Sequence, residues 1–227
     1  VPTFRFIGTI AACFLLGACA DGGNADVERP LTPMPPSLIG TYAGEFPCSN
    51  CAAIDAALWL RADGRYVFRQ RYLDAAGAQD GPDAFSIGRW VWDEVSAQLV
   101  LKGMGPERRF NAIETDQLEW IVAAAIPHVL HRDFAATSVA ESMPVSGVAI
   151  VQGNNATFRE CQTALEFEVA GDGAMSDLRR QHRAFSPRGK PALTSVYAHL
   201  GQVAAGGQTR EVWVVDRVLR VSPNETC

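Results

Sequence analysis

Leu58-Trp59-Leu60-Arg61-Ala62-Asp63-Gly64-Arg65-Tyr66-Val67-Phe68-Arg69-Gln70-Arg71 is the stretch on which the fold turns. Leu58 and Leu60 alternate with Trp59 and Arg61 before Asp63-Gly64; Tyr66, Phe68 and Gln70 alternate with Val67, Arg69 and Arg71 after it. A period of two sends alternate side chains to opposite faces of a strand, and Asp-Gly between two such runs signals a β-hairpin.

Working outward, short apolar or alternating segments recur at 39–44, 85–92, 98–102, 108–113, 118–121 and 124–131, most of them separated by Gly, Pro or acidic turns. That amounts to about eight strands in residues 39–133, a spacing that favours a small up-and-down barrel, which hides its own edges. Residues 134–144 are small, polar and aperiodic, and read as a linker. Beyond them, 145–151, 165–169, 193–200 and 211–221 read as strands. Met175–Phe185 sets Leu178 and Phe185 among Arg179, Arg180, His182 and Arg183, as in a short amphipathic helix. Strands, one helix and further strands over 145–227 suit a small β-barrel of the OB type. The expected class is therefore all-β, with two small barrels in series.

The composition fits this. The 227 residues are 48% hydrophobic and 20% charged, as expected for a packed core rather than a disordered chain. A net charge of −5 argues against a general nucleic-acid binder.

The first residues give an address. Arg5 precedes the apolar run of residues 6–16, too short for a membrane-spanning helix, and Leu16-Gly17-Ala18-Cys19 follows. A positive start, a short apolar centre and small residues at its end describe an export signal over 1–18. The ending looks like a lipobox, which makes Cys19 the expected acylated residue and the membrane anchor. Multiple acyl chains would make the anchoring stable. Ala20 in place of an aspartate favours the outer membrane, on its periplasmic side. Residues 19–38, rich in Pro, Gly, Asp and Asn, read as a tether of about 60 Å reach when extended.

Cys48, Cys51, Cys161 and Cys227 remain in the body, and four cysteines allow three pairings. The division into two domains makes Cys48–Cys51 and Cys161–Cys227 the natural pairs. Closing the long loop restricts the unfolded chain by about 4 kcal/mol, and closing the short one by about 2 kcal/mol. Three readings compete for Cys48-Ser49-Asn50-Cys51: a structural disulfide, a redox-responsive pair, or two thiolates for a soft metal such as Cu(I). No βαβ unit surrounds the motif, which disfavours a thioredoxin-type catalyst.

Gly40-Thr-Tyr-Ala-Gly-Glu-Phe-Pro-Cys-Ser-Asn-Cys-Ala-Ala-Ile-Asp55, Leu58-x-Leu60-x-x-Asp63-Gly64-x-Tyr66, Arg71-Tyr72-Leu73 and Gly88-Arg89-Trp90-Val91-Trp92 together resemble the N-terminal domain of the NlpE lipoproteins. Phe46, Asn50 and Ala53 stand where family members usually carry Leu, Asp and Gly, and the missing acid weakens a metal site at the loop. Ala156-Thr-Phe-Arg-Glu-Cys161 and Cys227 are similar to the second domain of longer members. The resemblance implies a lipocalin-like first barrel and an OB-like second domain. It also implies a non-enzymatic role in envelope-stress or surface sensing and in copper tolerance, with an inner-membrane sensor protein as partner. The Cys161–Cys227 pair would then report folding.

Other features point less sharply. His128 and His131 are three apart, so on a strand they face opposite ways and make a poor metal pair. Gly88-x-Trp90 reads as core packing. No Ser-His-Asp signature or phosphate loop occurs. The basic run Arg179, Arg180, Arg183, Arg188 and Lys190 is either a solvated helix face or a docking surface for an acidic partner or lipid phosphates. The alternative function is a periplasmic module that binds copper or a small apolar ligand; a redox enzyme would need Cys48–Cys51 to cycle with a thiol substrate.

Overall fold

The structure is a computed structural model. It describes residues 38–227 apart from 104, 105, 115, 124, 125, 140, 187, 188, 206, 224 and 226. The expected signal segment, Cys19, nearly all of the tether and Arg188 lie outside the described residues.

The decisive hairpin forms, with a turn different from the one its dipeptide suggests. Strands β2 (Ala53–Leu60) and β3 (Arg65–Leu73) pair antiparallel with Leu60 opposite Tyr66 and Leu58 opposite Phe68. Arg61 N donates to Arg65 O at 2.9 Å, so the loop is the three residues Ala62-Asp63-Gly64. A two-residue type I′ turn would need positive φ at both central residues. Here Gly64 has φ of +79°, as expected at the left-handed end of a three-residue loop.

β1 (Gly40–Phe46) precedes this hairpin. β4 (Ala84–Asp93), β5 (Gln98–Gly103), β6 (Arg108–Glu114), β7 (Gln117–Trp120) and β8 (His128–Asp133) follow it. Each strand pairs with its sequence neighbour, and β8 returns to β1, with Thr41 opposite Asp133 and Ala43 opposite His131. The result is a closed eight-stranded up-and-down barrel. Closure at this strand number leaves an interior just wide enough for side chains to fill. Tyr42, Phe46, Leu58, Leu60, Tyr66, Phe68, Leu99, Leu101, Phe110 and Leu118 fill it, each less than 2% exposed. Phe46, Phe68, Phe110, Trp120 and His128 form an aromatic cluster with ring centroids 4.9–6.4 Å apart. Buried side chains this large and this many occupy the interior that a lipocalin-type barrel would otherwise offer to a small apolar ligand. Gly88 is required at one seam, because a Cβ there would lie 2.8 Å from the Tyr66 ring.

The second half is a five-stranded sheet in the order β11-β10-β9-β12-β13. Its members are β9 (Met143–Gln152), β10 (Asn155–Glu160), β11 (Glu166–Glu168), β12 (Ala192–Ala205) and β13 (Gln208–Pro223). A parallel bridge from Val169 to Trp213 brings the β11 end back to β13, and α1 (Met175–Phe185) lies between β11 and β12. This is the OB arrangement. Register shifts after Ser195 and after Tyr197 bend β12 where such a sheet must curve. Trp213, fully buried, meets Phe158 edge-on at 5.7 Å in the core.

β10 is the strand that periodicity missed. Its residues look polar, yet Ala156, Phe158 and Glu160 point inward and are buried. Glu160 is tolerated there because its carboxylate accepts from Gln162 N, Thr163 N and Thr163 Oγ1 at 2.7–2.8 Å. On α1, the buried face is Met175, Leu178 and His182, while Phe185 is more than half exposed. His182, expected within a solvated basic run, therefore sits in the core-facing stripe. Its Nε2 lies 3.3 Å from the Ala149 carbonyl.

Burial lowers the His182 pKa, and the carbonyls of Ala149 and Lys190 offset this only in part. The folded state therefore prefers the neutral ring. The unfolded chain binds the proton more readily, so this contribution is present above the ordinary histidine value near 6.5 and is lost as pH falls toward the lowered folded value. Thermal unfolding followed from pH 7 down to about pH 5 should show a fall in midpoint that His182→Gln reduces. An identical pH slope in the variant would assign the acid sensitivity elsewhere.

Candidate functional site

Both disulfides are formed, Cys48–Cys51 and Cys161–Cys227, each with Cα atoms 5.3 Å apart. Cys48-Ser49-Asn50-Cys51 occupies the loop between β1 and β2 at one barrel mouth, tied to β3 by Ala52 N donating to Leu73 O at 2.9 Å. The loop itself carries no charged side chain. Among the described residues, no group of three or more His, Cys, Asp or Glu is placed to hold a metal. His128 is buried and His131 exposed, on opposite faces of β8 as a strand requires.

The second disulfide has richer surroundings. Cys161 lies two residues before Thr163, whose carbonyl accepts from Arg65 Nε and Arg89 Nη2, each at 3.3 Å. Arg65 and Arg89 belong to the barrel, on β3 and β4. Beside them Arg61 donates through Nη1 and Nη2 to both Glu211 oxygens at 2.7 Å, and it also holds Asp63. Burial alone would lower the Arg61 pKa, but the hydrogen bonds to Glu211 and Asp63 outweigh it and leave the guanidinium firmly charged. Burial likewise raises Asp63, but the hydrogen bond and charge of Arg61, together with the backbone hydrogen bond and charge of Arg65, outweigh it, so the carboxyl ends below its ordinary value. Arg69 joins Asp55 at 2.6 Å to Glu141 in the segment between the two barrels.

These arginines clamp an apolar seam. Val67 is 3% exposed yet belongs to the core of the second domain, and Ala57, Trp59, Phe85 and Ile87 pack against that same core. The outward face of β2–β4 is thus covered by the OB half. The alternation in the sequence did not say what covers this face. The available signal was Arg65, Val67, Arg69 and Arg71 alternating outward on one strand, a pattern that marks a polar face without saying what covers it.

Ser142, Asp216 and His199 also meet, although no motif announced them. Ser142 Oγ donates to Asp216 Oδ2 at 2.6 Å, and His199 Nδ1 lies 3.0 Å from the same oxygen. Both contacts end on the carboxylate, so the imidazole is not set against the hydroxyl as a general base.

Of the basic run, Arg179, Arg180 and Arg183 come together with Asn154 and Ser176 around an open depression of about 490 Å³. Lys190 is exposed but does not line it.

Comparison with known proteins matches both halves. The NlpE N-terminal domain matches residues 42–123, and the NlpE C-terminal OB domain matches residues 139–227. Lipoprotein NlpE of Escherichia coli (strain K12) is 28% identical over 232 residues, covering 96% of this chain and 93% of that protein. The crystal structure of the Cpx pathway activator NlpE from Escherichia coli is 26% identical, covers 83% of this chain and 98% of that one, and superposes with a TM-score of 0.35. With its eight-stranded barrel, its OB half and a domain match over each, the chain belongs to the NlpE family of lipoproteins.

Proposed function

We propose that this chain is a non-enzymatic lipoprotein that reports envelope stress from the outer membrane through contact with an inner-membrane sensor. Similarity over nearly the whole length to lipoprotein NlpE of Escherichia coli, a Cpx pathway activator, supports the stress role. The observation that carries the reading is the contact of Arg65 and Arg89 with Thr163, two residues from Cys161. A second domain that fails to close Cys161–Cys227 loses the staple beside this contact. The β2–β4 face of the barrel then becomes available to a partner.

Copper tolerance is the finer reading that the family adds. It requires Cys48–Cys51 to be reduced, because the thiolate rather than the disulfide sulfur is the ligand. The filled barrel interior gives no support to the small-ligand alternative.

Lipidation supplies the test. Cys19→Ser should strand the protein at the inner membrane and raise the output of an envelope-stress reporter. Unchanged output with the protein retained there would sink the proposal.

A further inference from the structure

α1 turns two faces in opposite directions. Met175, Leu178 and His182 are buried against the OB core, and Ser176, Arg179, Arg180 and Arg183, spaced i, i+3, i+4 and i+7, form the outer stripe. Two of these guanidinium groups are held in place by the β9–β10 turn. Arg179 Nη1 donates to Asn154 Oδ1 at 2.8 Å, and Arg183 Nη2 donates to Gly153 O at 3.4 Å. Both partners are neutral. Among the described residues no carboxylate pairs with Arg179 or Arg183, whereas Arg180 shares its charge with Asp177 at 2.8 Å. The stripe therefore presents more positive charge than it neutralises, on a chain whose net charge is −5.

We infer that this stripe is a binding face for the phosphate groups of an anionic lipid surface. Guanidinium forks suit phosphate oxygens, and side chains fixed beforehand by a neutral turn lose less freedom on binding than mobile ones. The depression of about 490 Å³ is open rather than enclosed, and it lies on an outward helix face that a sheet of headgroups can reach. Charge supplies orientation as well. An anionic bilayer repels the acidic remainder of the body and attracts this face, so the surface sets which side of the OB half turns toward the membrane. The inference rests on the lipid-anchored reading for its constant nearness to a bilayer. Its test does not depend on acylation.

The chain from Ala20 onward retains every strand of both halves and can be mixed with vesicles of phosphatidylcholine alone or with phosphatidylglycerol added. Sedimentation should show partition only onto the anionic vesicles, weakening as salt is raised. Arg179→Gln/Arg180→Gln/Arg183→Gln together should reduce that partition by about a hundredfold, since each basic side chain near an anionic surface adds a similar increment. Arg210→Gln, exposed on β13 and paired with Glu168, should leave it nearly unchanged. Equal binding to neutral vesicles, or a triple variant that partitions like the parent, overturns the assignment. So does a parent that takes up inorganic phosphate at these arginines yet ignores anionic vesicles, which would mark a small-anion pocket. A parent that binds no vesicle at all leaves an acidic protein as the partner of this face and also overturns it. Failure in any of these arms leaves the stress-reporter reading standing, because that reading is measured by Cys19→Ser in cells.

Discussion

Cys161→Ser/Cys227→Ser should lower the stability of the second domain by about 4 kcal/mol, the largest loss expected from any removal of a covalent link here. The bond spans 66 residues, so its loss returns a long segment to the full freedom of the unfolded chain. The corresponding change at Cys48 and Cys51, which closes a separation of 3, should cost about 2 kcal/mol or less. Urea unfolding followed by tryptophan fluorescence separates the cases, since Trp213 lies in the second core. Equal losses from the two double variants would mean that native contacts, rather than loop length, set the worth of these bonds.

Phe110→Ala is the second large effect, with an expected loss of about 3–5 kcal/mol. Phe110 is fully buried, stacks on Trp120 with centroids 6.1 Å apart and meets the edge of Phe68 at 6.4 Å. Removing the ring takes apolar surface out of the core and leaves a cavity that neighbouring rings can only partly close. The midpoint in urea should fall, and Phe110→Leu should recover much of the difference. A loss below about 1 kcal/mol would show a barrel interior loose enough to admit a ligand, contrary to the filled core.

These effects also mark what was legible in the chain. The barrel was readable because Leu58, Leu60, Tyr66 and Phe68 keep strict alternation around Asp63-Gly64, and a closed sheet is the economical way to hide the edges of many short strands. The helix was readable from Leu178 and its basic neighbours. β10 escaped because burying Glu160 depends on backbone donors at Gln162 and Thr163, which no hydrophobicity pattern displays. His182 escaped because an imidazole between arginines looks solvated until its carbonyl partner on β9 is known. The last barrel segment was placed at 124–131, whereas β8 runs His128–Asp133. Ile126, 60% exposed, lies ahead of that strand rather than within it. The clamp between the halves escaped for a different reason. Arg61 and Glu211 are 150 residues apart, and only the tertiary fold brings them within 2.7 Å.

The coupling of the Cys161–Cys227 bond to the barrel is the centre of this account, and stress output from Cys161→Ser/Cys227→Ser measures it most directly. The variant keeps Cys19, Cys48 and Cys51 and is expressed in cells whose disulfide machinery is intact. The account predicts raised output from an envelope-stress reporter although the protein is correctly anchored. Output equal to that of the parent, at equal protein level, would contradict it.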